Sequence, residues 1–171
     1  LEAEKVEESQ RNGRLPKRPR TAKSLKAEAV AMLARREHSR LELQQKLIRK
    51  FPDRREEAQS VLSDLEERGY LSNSRFAERF VRAKASRYGA GRLQIELRRR
   101  GISGAEIQQA LDAVEEPELE RAWNVWERKF SGPPEDERER GRQIRFLASR
   151  GFSYAVIRQV LERARRQGDD E

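Results

Sequence analysis

The chain has 171 residues, 40% of them charged and only 35% hydrophobic, a balance that excludes one thick globular core and favours thin helical layers with one apolar stripe each. Its 38 lysines and arginines against 30 aspartates and glutamates leave a net charge of +8, which suits an acidic partner such as nucleic acid. There is no cysteine, which excludes disulfides and thiolate metal sites, and no apolar run approaches the ~20 residues of a membrane span, so a cytoplasmic protein is expected.

Residues 1–24 carry few apolar side chains, without a period. They pass from acidic (Glu2, Glu4, Glu7, Glu8) to basic (Arg11, Arg14, Lys17, Arg18, Arg20, Lys23) around Pro16 and Pro19. This composition predicts a disordered charged arm, either a solvated linker or an arm that touches phosphate. The opening LEAEKVEESQ has no apolar segment of the kind a signal peptide carries.

Helical periodicity begins at Leu25, with Ala29, Met32, Leu33 and Arg36 on the same face. Ser39 with Glu42 predicts a capping box opening a helix whose Leu43 and Leu47 face inward, and Phe51-Pro52 ends it. Asp53 with Glu56 predicts a second box, before a helix carrying Ala58, Val61, Leu62 and Leu65 and stopped by Gly69. A second unit starts at Ser72–Ser74 with a stripe of Phe76, Ala77, Phe80 and Val81. Tyr88-Gly89-Ala90-Gly91 breaks the helix, Leu93 and Leu97 restart it, and Gly101 ends it. Ser103 with Glu106 predicts a third box, followed by Ile107, Ala110, Leu111 and Val114. A third unit opens at Pro117, expected as the first helical residue, with a stripe of Leu119, Ala122, Trp123, Trp126 and Phe130. After the loop Ser131–Pro134, acidic Glu135–Glu137 suit a helix start, and Ile144, Leu147 and Ala148 are expected to face inward. Gly151 stops that helix and Ser153 caps the last, whose stripe is Val156, Ile157, Val160, Leu161 and Ala164. The end is expected to be a frayed acidic tail.

Gly91–Leu111 lies over Gly141–Leu161 without a gap, and about half the positions match; Leu43, Leu47, Asp53, Ala58, Val61 and Leu62 form a weaker third copy. A period of about 40–50 residues means stacked helical units, each too small to bury its own stripe. The expected fold is all-α: three tandem three-helix repeats, at 25–72, 73–116 and 117–166, in an elongated, curved array, with an arm at 1–24 and a tail at 167–171.

The chemistry concentrates in arginines. A cationic ridge runs through Arg79, Arg82, Lys84, Arg87, Arg92, Arg98, Arg99 and Arg100, opposed within its span only by Glu96. The third unit has a similar run that includes Arg142, Arg145, Arg150 and Arg158. Planar guanidinium groups suit both phosphate and carboxylate, so the ridge is a binding surface or a solvated face. Tyr88 is placed either to stack on an exposed base or to pack half-buried. Trp123 and Trp126 read as core. His38 stands alone, without the partners a metal site needs. Gly89-Ala90-Gly91 is followed by no Gly-Lys-Ser/Thr, so it is not a phosphate loop. No nucleophile, base and orienting group come together, so neither catalysis nor a cofactor or metal is expected.

Four stretches in order, ARREHSRLELQQKL (34–47), GYLSNSRFAERFVRAKA (69–85), RYGAGRLQIELRRRGIS (87–103) and SRGFSYAVIRQVL (149–161), resemble the RecX family, bacterial regulators of the RecA recombinase. The chain departs from that family at Phe51-Pro52, where a Gly is usual, and at Asn73 and Ser74, where acidic residues are common. The resemblance implies three tandem three-helix modules that lie in the groove of the RecA–DNA filament. It implies inhibition of ATP hydrolysis, strand exchange and co-protease activity, with single- or double-stranded DNA contacted with weak sequence preference. A monomer, remote from the membrane, is expected. Two other readings stay open, a DNA-binding protein with helix-turn-helix-like modules and a helical adaptor with a charged surface.

Overall fold

The computed structural model describes residues 24–169. The arm expected at 1–24 lies outside them except for Ser24, as do residues 170 and 171 of the expected tail. Among the described residues all regular structure is helical: α1 (Leu25–Arg35), α2 (Arg40–Lys50), α3 (Arg55–Glu67), α4 (Asn73–Lys84), α5 (Ala90–Arg99), α6 (Gly104–Asp112), α7 (Glu118–Glu127), α8 (Glu137–Ser149) and α9 (Tyr154–Asp169).

Most helix starts follow the expected chemistry. Side-chain oxygens of Ser24, Ser39, Ser72, Ser103, Asp136 and Ser153 accept the first free backbone N–H groups of their helices. Three expectations are corrected. Only Ser103–Glu106 forms the full reciprocal box; Ser39 caps the Glu42 amide, but the Glu42 carboxylate turns to Arg36 and Arg100 instead. Asp53 caps nothing, because α3 begins one residue later than a box at Asp53 requires and Arg54 takes the cap position without a side-chain bond. Pro117 is the N-cap of α7 rather than its first helical residue. Gly69, Gly101 and Gly151 follow α3, α5 and α8 with φ of +74°, +77° and +89°, the left-handed geometry that lets the chain turn off a helix without a Cβ clash.

Each repeat closes over its own apolar cluster. Leu25, Ala29, Leu43, Leu47, Leu62 and Leu65 fill the first. Phe76, Ala77, Val81, Leu93, Leu97 and Ile107 fill the second. Ala122, Trp123, Trp126, Leu147, Ile157 and Val160 fill the third. Leu97 and Leu147, which occupy equivalent positions in the overlaid repeats, are both fully buried. The principal helix packings, α2 on α3, α4 on α6 and α7 on α9, all fall within a repeat, so the chain is a helical array rather than one domain around one core.

Four details differ from expectation. Ala148 is exposed, and Gln143 is buried in its place. Gln143 lies one turn before Leu147 on the buried face of α8, and its amide is satisfied there, accepting from Trp126 Nε1 at 2.7 Å and donating to the Gly132 carbonyl at 3.2 Å. Ala90 and Gly91 belong to the first turn of α5 and not to the break before it. The last helix continues through Gln167 and Gly168 to Asp169, with Gly168 packed near the Pro133 ring.

The repeats are joined by a recurring device. The first free amide of α2, at Arg40, donates to Asn73 Oδ1 at 2.9 Å, from the first residue of α4. The first free amide of α5, at Ala90, donates to Glu118 Oε1 at 2.8 Å, from the first residue of α7. The second helices of repeats one and two are thus each capped by the next repeat, where the macrodipole favours an acceptor. The junctions differ otherwise. Between repeats one and two lie the ion pairs Arg75–Glu37 and Arg100–Glu42. Between repeats two and three, backbone meets backbone: the Gly89 N–H donates to the Arg150 carbonyl at 2.8 Å and the Gly91 N–H to the Gly151 carbonyl at 3.1 Å.

Candidate partner-binding face

The expected ridge is divided by its own chemistry. Lys84 at the end of α4, Arg92 on α5 and Arg100 at the C-cap of α5 converge on Glu96 at 3.1, 3.2 and 3.6 Å. Burial pushes the Glu96 carboxyl up, but hydrogen bonds from Lys84 and Arg92 outweigh it and hold its pKa below the usual carboxylate value. Lys84 Nζ and the Arg100 guanidinium also lie over the Phe80 ring, at 4.5 and 4.8 Å. Arg100 reaches Glu42 of the first repeat as well. These three cations are thus engaged within the chain: together they tie α4 to α5, and Arg100 ties repeat one to repeat two.

Arg79, Arg82, Arg87, Arg98 and Arg99 are exposed and have no ion-pair partner among the described residues. They do not form one stripe. Arg82 opens on a cleft beside Glu78, Glu115 and Glu116. Arg99 lines a different cleft of about 720 Å³ between α5 and the α8–α9 turn, together with Ile95, which is 52% exposed. On the third repeat, Arg145 is exposed and unpaired. Arg142 and Arg158 make long ion pairs of 3.8 and 3.7 Å with Glu139 and Glu162, of the exposed kind that contribute little.

Tyr88 is half-buried against the second cluster. The guanidinium groups of Arg92 and Arg150 lie over its ring at 4.2 and 5.6 Å. The structure thus brings Arg92, Arg150 and Tyr88 together as a piece of the junction between repeats two and three. His38 occupies the equivalent place at the first junction. Its Nδ1–H donates to the Arg36 carbonyl at 3.0 Å, and Nε2 lies 3.0 Å from Lys46 Nζ. Burial lowers its pKa, so the ring is neutral and accepts from the ammonium.

One residue escaped the sequence. Arg121 on α7 is only 5% exposed, and its Nη1 donates to the Ala85 carbonyl at 2.7 Å and the Tyr88 carbonyl at 3.0 Å. It plugs the C-terminal end of α4, where the macrodipole favours a cation. Burial pushes its pKa down, although guanidinium stays charged. A signal was present. On α7 the buried set is Arg121, Ala122, Trp123, Val125 and Trp126, too wide for one stripe, and a helix apolar over so much of its girth packs on two neighbours.

Three docked three-helix repeats with exposed arginines on their helices define a class, the tandem helical-repeat protein. Models of the second and third three-helix domains of RecX match residues 72–111 and 116–161. A regulatory protein RecX of Leptothrix cholodnii is 46% identical over 148 residues, covering 86% of this chain and 94% of its own length. One from Ralstonia nicotianae is 42% identical over 152 residues, covering 89% and 95%. The crystal structure of RecX from Lactobacillus salivarius superposes with a TM-score of 0.70 at 19% identity, over 82% of this chain and 94% of that one, a likeness of fold. The chain belongs to the RecX family.

Proposed function

We propose that this protein is a non-enzymatic negative regulator of the RecA recombinase. It binds the RecA–DNA filament in its groove, in the cytoplasm and as a monomer, and inhibits ATP hydrolysis, strand exchange and co-protease activity. The observation that supports this reading best is the set of exposed, unpaired arginines on α4, α5 and α8, in a chain of the RecX family. Guanidinium groups without internal partners keep their full capacity for phosphate or carboxylate. Rigid repeats hold them at fixed spacings, as recognition of a periodic polyanion requires.

The test is the rate of RecA ATP hydrolysis on single-stranded DNA as the protein is titrated in. The rate is expected to fall. An unchanged rate at saturating protein overturns the reading, and a strong preference for one duplex sequence in the absence of RecA would mark a sequence-reading DNA-binding protein instead.

The unpaired pair Arg98 and Arg99 supplies a sharper prediction. Replacing both with Ala should weaken inhibition and flatten the dependence of filament binding on salt, by about one log–log unit for each lost phosphate contact. Stability should fall by only about 0.5–1 kcal/mol, the loss of two cations from the last turn of α5 offset by better helix formers. Arg100 is left in place because it holds Glu96 and Glu42. Full inhibition by the double variant across a range of salt would make these two arginines a solvated face.

A further inference from the structure

The third repeat carries a groove beside the link between its first two helices. The link between α7 and α8, residues 128–136, is longer than the link between α4 and α5, residues 85–89. Its Pro133 and Pro134 stand as one wall of a groove of about 610 Å³ whose floor includes Ile144 and Leu161. Arg140, Arg158, Arg165 and Arg166 line it, against the single acid Glu162. Arg165 and Arg166 have no ion-pair partner among the described residues. The pairs Arg140–Glu137 and Arg158–Glu162 are long, at 3.6 and 3.7 Å, and therefore easily exchanged for a stronger anion.

At the rim stands Tyr154, 62% exposed. Unlike Tyr88, it has no guanidinium or ring against it among the described residues. In the overlaid second repeat this position is Gly104, so the aromatic platform, like the proline wall, is peculiar to the third. An exposed ring costs solvation and contributes nothing to the core, which leaves its face for a ligand. We infer that the α8–α9 groove binds single-stranded nucleic acid, with Tyr154 stacking on an unpaired base and Arg158, Arg165 and Arg166 holding the adjoining phosphates. Charge selects a polyanion. The free ring selects one with an accessible π-face, which a duplex, whose bases are stacked on each other, does not offer, and which an acidic peptide offers only at occasional aromatic residues. The volume lies in the range of sites that take a molecule the size of a nucleotide.

The inference goes beyond the filament reading and is tested without RecA, so either can fail alone. The full chain is titrated into fluorescein-labelled single-stranded oligothymidylate, and separately into its duplex with oligoadenylate, with anisotropy as the readout. Tyr154→Ala should weaken single-strand binding about 5- to 100-fold and leave duplex binding unchanged, whereas Tyr154→Phe, which keeps the ring, should bind within about twofold of the parent. The salt dependence should be unaltered by Tyr154→Ala, since no charge is lost, but should flatten in Arg165→Ala/Arg166→Ala by about 0.7 log–log units for each lost phosphate contact. Tyr154 lies outside the core, and circular dichroism verifies that the variants are folded. Single-strand binding unchanged in Tyr154→Ala, equal losses in the Phe and Ala variants, or displacement of the oligonucleotide by polyglutamate with no dependence on Tyr154 would each overturn the assignment.

Discussion

Gly151→Ala is expected to destabilise the protein by about 2–5 kcal/mol and to loosen repeat three from repeat two. Two effects combine. The left-handed backbone, φ +89°, costs any Cβ-bearing residue about 1–2 kcal/mol. A Cβ there would also fall on the Cβ of Arg92 and only 2.5 Å from its backbone nitrogen, and overpacking against a part that cannot swing aside adds about 1–3 kcal/mol. The other two left-handed glycines separate these effects. A Cβ at Gly69 meets nothing within 4 Å, and one at Gly101 meets the Leu41 side chain at 3.0 Å. Urea unfolding should therefore rank the losses Gly69→Ala, then Gly101→Ala, then Gly151→Ala. Only the last should also lower the dependence on denaturant, because a repeat released from its neighbour no longer unfolds with it. If Gly151→Ala costs no more than Gly69→Ala, the backbone contact between the glycine turns is not what joins the two repeats.

That junction marks the limit of what the sequence displays. Periodicity places the centre of the core stripes, because one apolar face per helix is a local property: Leu43, Leu47, Leu97, Leu147 and Val160 are all fully buried. Helix ends are nearly as legible, since Ser caps and left-handed glycines act within a turn. Errors appear where a residue is used by a distant partner. Glu42 sits at the right spacing to close a box with Ser39, but Arg100 of the next repeat claims it. Lys84, Arg92 and Arg100 look like members of an open ridge, yet Glu96 binds all three. A count of one acid against many bases cannot reveal that this acid serves several bases at once.

Asn73 shows the same point in reverse. The resemblance implies an acidic residue at this position, and Asn in its place would be read as a weakened cap. The amide oxygen of Asn73 accepts from Arg40 N–H at 2.9 Å much as the Glu118 carboxylate accepts from Ala90 N–H at 2.8 Å. What the joint requires is an acceptor at the first position of the next repeat, and a neutral one serves. The first joint trades that charge for the ion pairs Arg75–Glu37 and Arg100–Glu42. Salt should consequently weaken the docking of repeats one and two more than that of repeats two and three, where the bonds run between backbone groups.

Arg121→Ala should cost about 2–4 kcal/mol, from a cavity and from buried carbonyls at Ala85 and Tyr88 left without their donor. Arg121→Met separates the two contributions, because Met fills most of the space and adapts to its shape. Two forces oppose each other in this variant. The lost bonds are charge-assisted, together worth about 3 kcal/mol or more. Against them stands the desolvation of a guanidinium that is 5% exposed, and among the described residues its Nε has no partner and no carboxylate contacts it directly. The dipole of α4 and the charges of Glu118 and Glu116 favour the cation, so the bonds should win narrowly and Arg121→Met should lose about 1–2 kcal/mol. Unfolding midpoints of the parent and both variants decide the matter. A Met variant as stable as the parent would show that burying the charge cancels its bonds. Arg121 would then act by fixing the register in which α7 meets the end of α4, and the Met variant, though stable, would bind the filament more weakly because its arginines are no longer held at one spacing.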